Sequence, residues 1–129
     1  CASFGRKVKD AYGGQCAACG LGQRLVEAAH ILPVGLEGPD TPRNGIALCP
    51  NHHTAFDKHL MWIQPVFHRI KLHHSIHSAA ERGDEPCARF IESTRAYASV
   101  PDATDFRPAA QYLSSRYESF KAEYLWAES

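Results

Sequence analysis

Four residues in two pairs, Cys16-x-x-Cys19 and Cys49-x-x-His52, have the types and the spacing of metal ligands. A C-x-x-C turn lets both sulfurs reach one ion at about 2.3 Å, and two such knuckles supply the four tetrahedral thiolate and imidazole ligands that zinc prefers. With all four positions filled by protein, none is left for a substrate. The site is therefore read as structural, an ion whose binding is coupled to folding. Two buried apolar cysteines and a surface histidine would be the simpler reading, but it leaves the matched spacing unexplained.

Interleaved with these ligands lie His30, Asn44, His53 and Asp57. His30 closes a predicted strand, and an imidazole held there suits a general base. His53 and Asp57 are four residues apart on a predicted helix, so their side chains share one face. Taken singly, each has a blander reading: a core histidine, a turn asparagine before Gly45, a solvated helix pair. Their joint order around the first four ligands favours the functional one.

The surrounding residues read Glu27-Ala-Ala-His30-Ile-Leu-Pro33, then Asn44-Gly-Ile-Ala-Leu-Cys49, then His53-Thr-Ala-Phe-Asp57. These motifs resemble the HNH endonuclease family, and within it the restriction-type branch, whose members read E-A-A-H-I-x-P, N-G-x-x-L-C and H-x-x-F-D. The likeness runs through residues 12–60 and, more loosely, through Val100-Pro101 and Pro108-x-x-x-Tyr112-Leu113. It implies an α+β fold: a ββα-metal (HNH) finger with a structural zinc knuckle pair, followed by a β-hairpin and C-terminal helices.

The resemblance also implies a metal-dependent endonuclease that hydrolyses DNA, the cleavage domain of a restriction or anti-phage defence protein. His30 would deprotonate the attacking water, and Asn44 would tie down the loop backbone that orients it. His53 would bind a catalytic Mg2+ or Mn2+ ion. Asp57 would either join it as a ligand or orient its ring. This sequence departs from the family at Ala29, where many members carry an acidic or histidine ligand. Glu27, three residues from His30, faces the other way on a regular strand. The ion is thus expected to have few protein ligands and to rely on water and phosphate oxygens. The rival reading is a non-catalytic, zinc-stabilised module that binds DNA or protein.

The elements that must hold these groups are legible in outline. Residues 4–12 read as a helix stopped by Gly13-Gly14, residues 25–31 and 46–48 as strands, and 34–43 as a loop. Pro50 opens a helix that runs to about Lys58. Strands over 60–63 and 67–72 make a hairpin near Pro65, residues 75–86 read as a polar connection, and helices are expected over 86–97 and 108–125. In the last, Leu113, Tyr117, Phe120 and Tyr124 form an apolar stripe. One domain over 1–129 is expected, with the finger core at 14–60 and the hairpin and helical tail at 60–129.

Composition bounds the partners. With 44% hydrophobic and 22% charged residues and no net charge, the 129-residue chain has an ordinary globular make-up. The first 75 residues carry eight Lys/Arg against five Asp/Glu, and the remainder six against nine. A mildly basic catalytic half, with Arg6, Lys7 and Lys9 together, is compatible with DNA. Arg43, Lys58 and His59 flank the finger as further phosphate candidates. Five cysteines, an odd number, point away from a disulfide framework and to a cytoplasmic chain, with Cys1 and Cys87 as free thiols. His68, His73, His74 and His77 read as surface groups, and Trp62 and Phe67 as hairpin core. No membrane partner is expected, whereas a further recognition domain in a longer chain and a homodimer are both compatible with the sequence.

Overall fold

The computed structural model describes residues 2–128. Helix α1 (Ala2–Ala11) is followed by strand β1 (Glu27–His30), strand β2 (Gly45–Leu48) and helix α2 (Pro50–Asp57). Strands β3 (Met61–Ile63) and β4 (Ile70–Leu72) come next, then helices α3 (His74–Glu81), α4 (Glu85–Ser93) and α5 (Ala110–Ser119). Short 3-10 turns occupy Val34–Leu36, Pro42–Asn44 and Thr104–Phe106, and a longer 3-10 segment, Lys121–Glu128, closes the described chain.

β1 and β2 pair antiparallel with Glu27 opposite Leu48 and His30 opposite Gly45. The pleat sends alternate side chains to opposite faces. His30 and Gly45 therefore face α1, while Glu27, Leu48, Ala29 and Ile46 take the other face, towards α2. Phe4 and Val8, one helical turn apart on α1, are both buried against the sheet. They come so close that a Cβ at Gly45 would lie 2.5 Å from Val8 Cγ2 and 3.0 Å from Phe4 Cζ. Helix α1 ends where the sequence places its stop, at Gly13 and Gly14, whose φ values of 64° and 70° suit glycine.

α2 starts with Pro50 in its first turn and buries His52, Ala55 and Phe56. It ends on His59, a non-glycine residue at φ 62°, with Leu60 N donating to Ala55 O at 2.8 Å. The β3–β4 hairpin forms as expected, but β4 starts later than residue 67. Gln64 Oε1 accepts from the amides of Val66 and Phe67, which holds residues 64–69 in a turn. Phe67 is consequently exposed at the tip rather than buried in the hairpin.

The tail departs most from expectation. Residues 75–86 are not a polar connection, because α3 fills His74–Glu81. His73 Nδ1 accepts from Ser75 N at 3.0 Å to cap it. Gly83, at φ 96°, and Pro86 punctuate the join between two helices, where Asp84 caps α4 through Cys87 N. α4 stops at Ser93, short of residue 97. The next residues run extended between the hairpin and the first knuckle, with Ile70 N donating to Ala96 O and Arg95 N to Ala18 O, both at 2.8 Å. The last expected helix divides at Phe120 into α5 and the 3-10 segment. One cluster of buried side chains runs from Phe4 to Leu113, joining the finger, the hairpin and α5.

Gly45→Ala tests the packing of α1 on the sheet. Val8 and Phe4 cannot retreat from a new methyl without disturbing a close-packed core, so a loss of about 1–3 kcal/mol is expected. It is read as a lowered midpoint in thermal or urea unfolding.

Candidate functional site

Cys16, Cys19, Cys49 and His52 converge, with one ligand atom from each within 4.8 Å of all the others. Cys16 Sγ lies 3.9 Å from His52 Nδ1, Cys19 Sγ 4.0 Å from Cys49 Sγ, and Cys49 Sγ 3.3 Å from His52 Nδ1. Ligands at about 2.0–2.3 Å from a tetrahedral ion stand roughly 3.5–3.8 Å apart, so the four atoms fit a metal site. The thiols argue the same way. Burial pushes Cys16 up, but hydrogen bonds with His52 and with the backbone at Cys49, Ala18 and Cys19 bring it down to about 6. Cys19, buried beside the other sulfurs, is pushed up to about 12, and burial raises Cys49 too. One thiolate forms readily and the next two are resisted, a conflict that a divalent cation relieves.

The tail supplies a fifth member that the sequence did not reveal. His52 Nε2 is 2.8 Å from Thr94 Oγ1, and that hydroxyl donates to Phe90 O at 2.7 Å. Its proton being spent there, Thr94 can only accept from Nε2–H. The Nδ1 lone pair is thereby left to the sulfur cluster, the tautomer a metal ligand needs. Phe90 stacks on the same ring at 4.5 Å.

On the α1 face, His30 stacks on Phe4 at 4.1 Å, and its Nε2 lies 2.8 Å from Asp40 Oδ1. The hydrogen bond from His30 holds the Asp40 carboxyl below its usual range. Asn44 is fully buried. Its side chain accepts from Leu32 N at 2.8 Å and donates to Leu32 O and Pro39 O, each at 3.0 Å. It thus closes the loop that carries Asp40. Gly38 allows this closure, since a Cβ there would sit 1.7 Å from Leu32 O.

On the other face, His53 is held between two carboxylates. Its Nδ1 is 2.6 Å from Glu27 Oε1 and its Nε2 is 3.3 Å from Asp57 Oδ2. Glu27 does face away from His30, as alternation requires, and for that reason it meets the helix histidine. Alternation places Glu27 on the face of Ala29 but does not show that α2 covers that face, so the contact with His53 is not visible in the sequence. His30 and His53 are not brought into contact. They occupy opposite faces of β1, whose outer edge pairs with no strand among the described residues.

The remaining candidates are dispersed. Arg6, Lys7, Arg43 and Lys58 are exposed, and Arg43 Nε donates to Arg107 O. His59 is not poised for phosphate: its ring packs on Phe120 and Tyr124, and burial followed by the nearby Arg116 lowers its pKa. His73 caps α3 and its ring lies tilted against His74 at 3.9 Å, and none of His68, His73, His74 and His77 enters a metal-ligand group among the described residues. Trp62 packs on Tyr117 with Lys71 over its ring. Cys87 is a free thiol, and Cys1 lies outside the described residues.

Two short strands and a helix built around four Cys/His ligands, with a hairpin and helices after them, make the expected α+β, ββα-metal architecture. Residues 16–64 match the family model described as HNH endonuclease, which bears out the likeness carried by the motifs. The solved structure of a "Modification dependent TagI restriction endonuclease" superposes with a TM-score of 0.66 at 19% identity, over 92% of this chain and 37% of that one. At that identity the likeness is one of fold, and this chain corresponds to well under half of that protein. No curated protein matches the sequence. No helix among the described residues is long and apolar enough to cross a membrane.

Cys49→Ser removes the ligand nearest His52 Nδ1 and is expected to abolish retention of a tightly held metal ion, read by elemental analysis of the purified protein. Thr94→Val keeps the ligands but frees the His52 ring, and should weaken the ion about 10–100-fold in a chelator competition. Unchanged retention in both variants would rule out the four-ligand site.

Proposed function

We propose that this chain is a metal-dependent HNH endonuclease domain that hydrolyses DNA phosphodiester bonds, the cleaving part of a restriction or defence protein. The observation that carries the reading is the His53 ring, gripped at Nδ1 by Glu27 and facing Asp57 at Nε2 beside a separate four-ligand site. A carboxylate on one imidazole nitrogen orients the other for a metal, so Glu27 is the orienting partner and Asp57 the co-ligand. Zinc fits the Cys3His set, and Mg2+ or Mn2+ fits the site of one imidazole, one carboxylate and water. The catalytic ion would supply charge neutralisation at the scissile phosphate and at the leaving oxygen.

The chain's own residues do the rest. Asp40 accepts from His30 Nε2–H, which keeps the ring in the tautomer whose Nδ1 carries the lone pair that takes the proton of the attacking water. Phe4 fixes the ring plane by stacking, and Asn44 keeps the Asp40 loop closed. A DNA strand that reaches both His30 and His53 lies across the unpaired edge of β1. The defence role rests on kinship with restriction-type sequences and on the fold shared with a restriction endonuclease. DNA as substrate has the same support, together with the mildly basic first half. The finger and tail are read as one domain because their side chains share one buried cluster.

A second reading has two observations in its favour. His30 and His53 lie on opposite faces of β1, and no third ligand joins His53 and Asp57 in a group among the described residues. A zinc-stabilised module that only binds DNA or protein would have no use for a second divalent ion. Plasmid nicking with Mg2+ or Mn2+ separates the two. The endonuclease cuts, and His30→Ala lowers the rate by about 10²–10⁴-fold. His53→Ala abolishes binding of the second ion without loss of the first, and Asp40→Asn lowers the rate less than His30→Ala does. A parent protein that fails to nick with either ion, or a His30→Ala variant as active as the parent, would refute the endonuclease.

A further inference from the structure

We infer that Arg116 is a positioning residue for the proposed cleavage, a buried guanidinium that sets the spacing between the strand end bearing His30 and the helix end bearing His53 and Asp57. The inference rests on the endonuclease reading. Arg116 sits on α5, 85 residues from the strand it touches, and is 2% exposed. Its Nη1 donates to Ile31 O at 2.9 Å and its Nη2 to Phe56 O at 2.7 Å. Nε donates to Tyr124 Oη at 2.9 Å, and the guanidinium lies 3.8 Å from the centroid of the Phe56 ring.

The two carbonyls are informative in their places. Ile31 follows His30, and Phe56 precedes Asp57 and stands three residues after His53. One rigid planar fork therefore grips the backbone next to each candidate catalytic group, a direct tie between the two elements beside the Glu27–His53 contact. A guanidinium has its donors in fixed directions, so it fixes the separation of the acceptors; an ammonium, a point charge on a flexible stem, does not. Among the described residues no carboxylate pairs with Arg116. Its charge meets the Phe56 carbonyl at the C-terminal end of α2, where the helix dipole is negative, the Ile31 carbonyl after β1, and the Phe56 ring.

A buried ion often gives no more stability than an apolar side chain of the same size. What the planar fork adds over such a side chain is fixed geometry. Near-attack geometry is sensitive enough to reward such a device, since a displacement of about 1 Å can cost roughly 100-fold in rate.

The test compares the parent with Arg116→Met and Arg116→Lys, each first shown by unfolding midpoint and metal content to be folded with its structural ion. Imidazole 15N spectra, recorded without a catalytic metal, should show the His30 and His53 resonances shifted or broadened in both variants, with His52 unmoved. In nicking assays at saturating Mg2+, kcat should fall at least about tenfold with KM within about threefold, and lysine should not rescue. Unmoved His30 and His53 signals, or an Arg116→Met protein with the parent kcat, overturn the inference. If Arg116→Met does not fold, the lysine variant, which keeps the charge and most of the volume, decides by the same readouts. If the parent cuts no DNA, the endonuclease reading fails separately, while the spectra still decide whether Arg116 sets the spacing.

Discussion

The rotation of α2 about its own axis is the constraint on which the rest depends. Consecutive helix residues point about 100° apart, so His52 and His53 cannot face the same way. His52 is turned inward, its Nδ1 among the sulfurs of Cys16, Cys19 and Cys49. That contact leaves His53 only one direction, out over the β1 face where Glu27 meets it. A closed four-ligand site is stiff, because moving one ligand distorts the coordination of the other three. The knuckle of residues 16–19 is in turn tied to β2, with Ala17 N donating to Ala47 O at 2.8 Å. Strand, knuckle and helix are thus referred to one point, and the exposed histidine inherits its precision from the buried one.

The tail completes this frame from two directions. Thr94 at the end of α4 takes up the far nitrogen of His52, and the extended residues after it bond to Ala17 and Ala18 on one side and to the hairpin on the other. From the opposite side, α5 delivers Arg116 to Ile31 and Phe56, and Tyr117 Oη both donates to Ile63 O and accepts from Ile63 N. A finger of about fifty residues has little core of its own, and small cores are marginal without such support. Helices that look like an appendage in sequence are the second wall of the site.

The division between what could be read and what could not follows from the range of the interactions. The four metal ligands, the order of His30, Asn44 and His53, and the stop at Gly13-Gly14 are set by local spacing, and they were legible. Glu27 was legible as a residue but not as a partner, because alternation tells which face a side chain takes and not which helix covers it. Asp40 lies ten residues from His30 in a loop, where no periodicity links the two. α3 was hidden by Gly83 and Pro86, which mark a boundary between helices as readily as a loop. Thr94 and Arg116 reach their partners across 42 and 85 residues, and nothing in their neighbourhoods announces a contact at that distance.

The opposed faces of His30 and His53 bear on how such a site can work at all. A strand inside a sheet would wall the two groups off from each other. β1 is paired on one side only, so a polymer laid along its outer edge can present one face of a phosphate to each group. In the proposed endonuclease the groups on the two sides differ in kind to match: His30 with Asp40 would take a proton, and His53 with Glu27 and Asp57 would hold a cation. Keeping the carboxylates in separate pairs also keeps the ligand charge away from the base, so each side can be tuned without disturbing the other. What then has to be fixed is the thickness of the strand end between them. There, at Ile31 and Phe56, the chain places the buried guanidinium of Arg116.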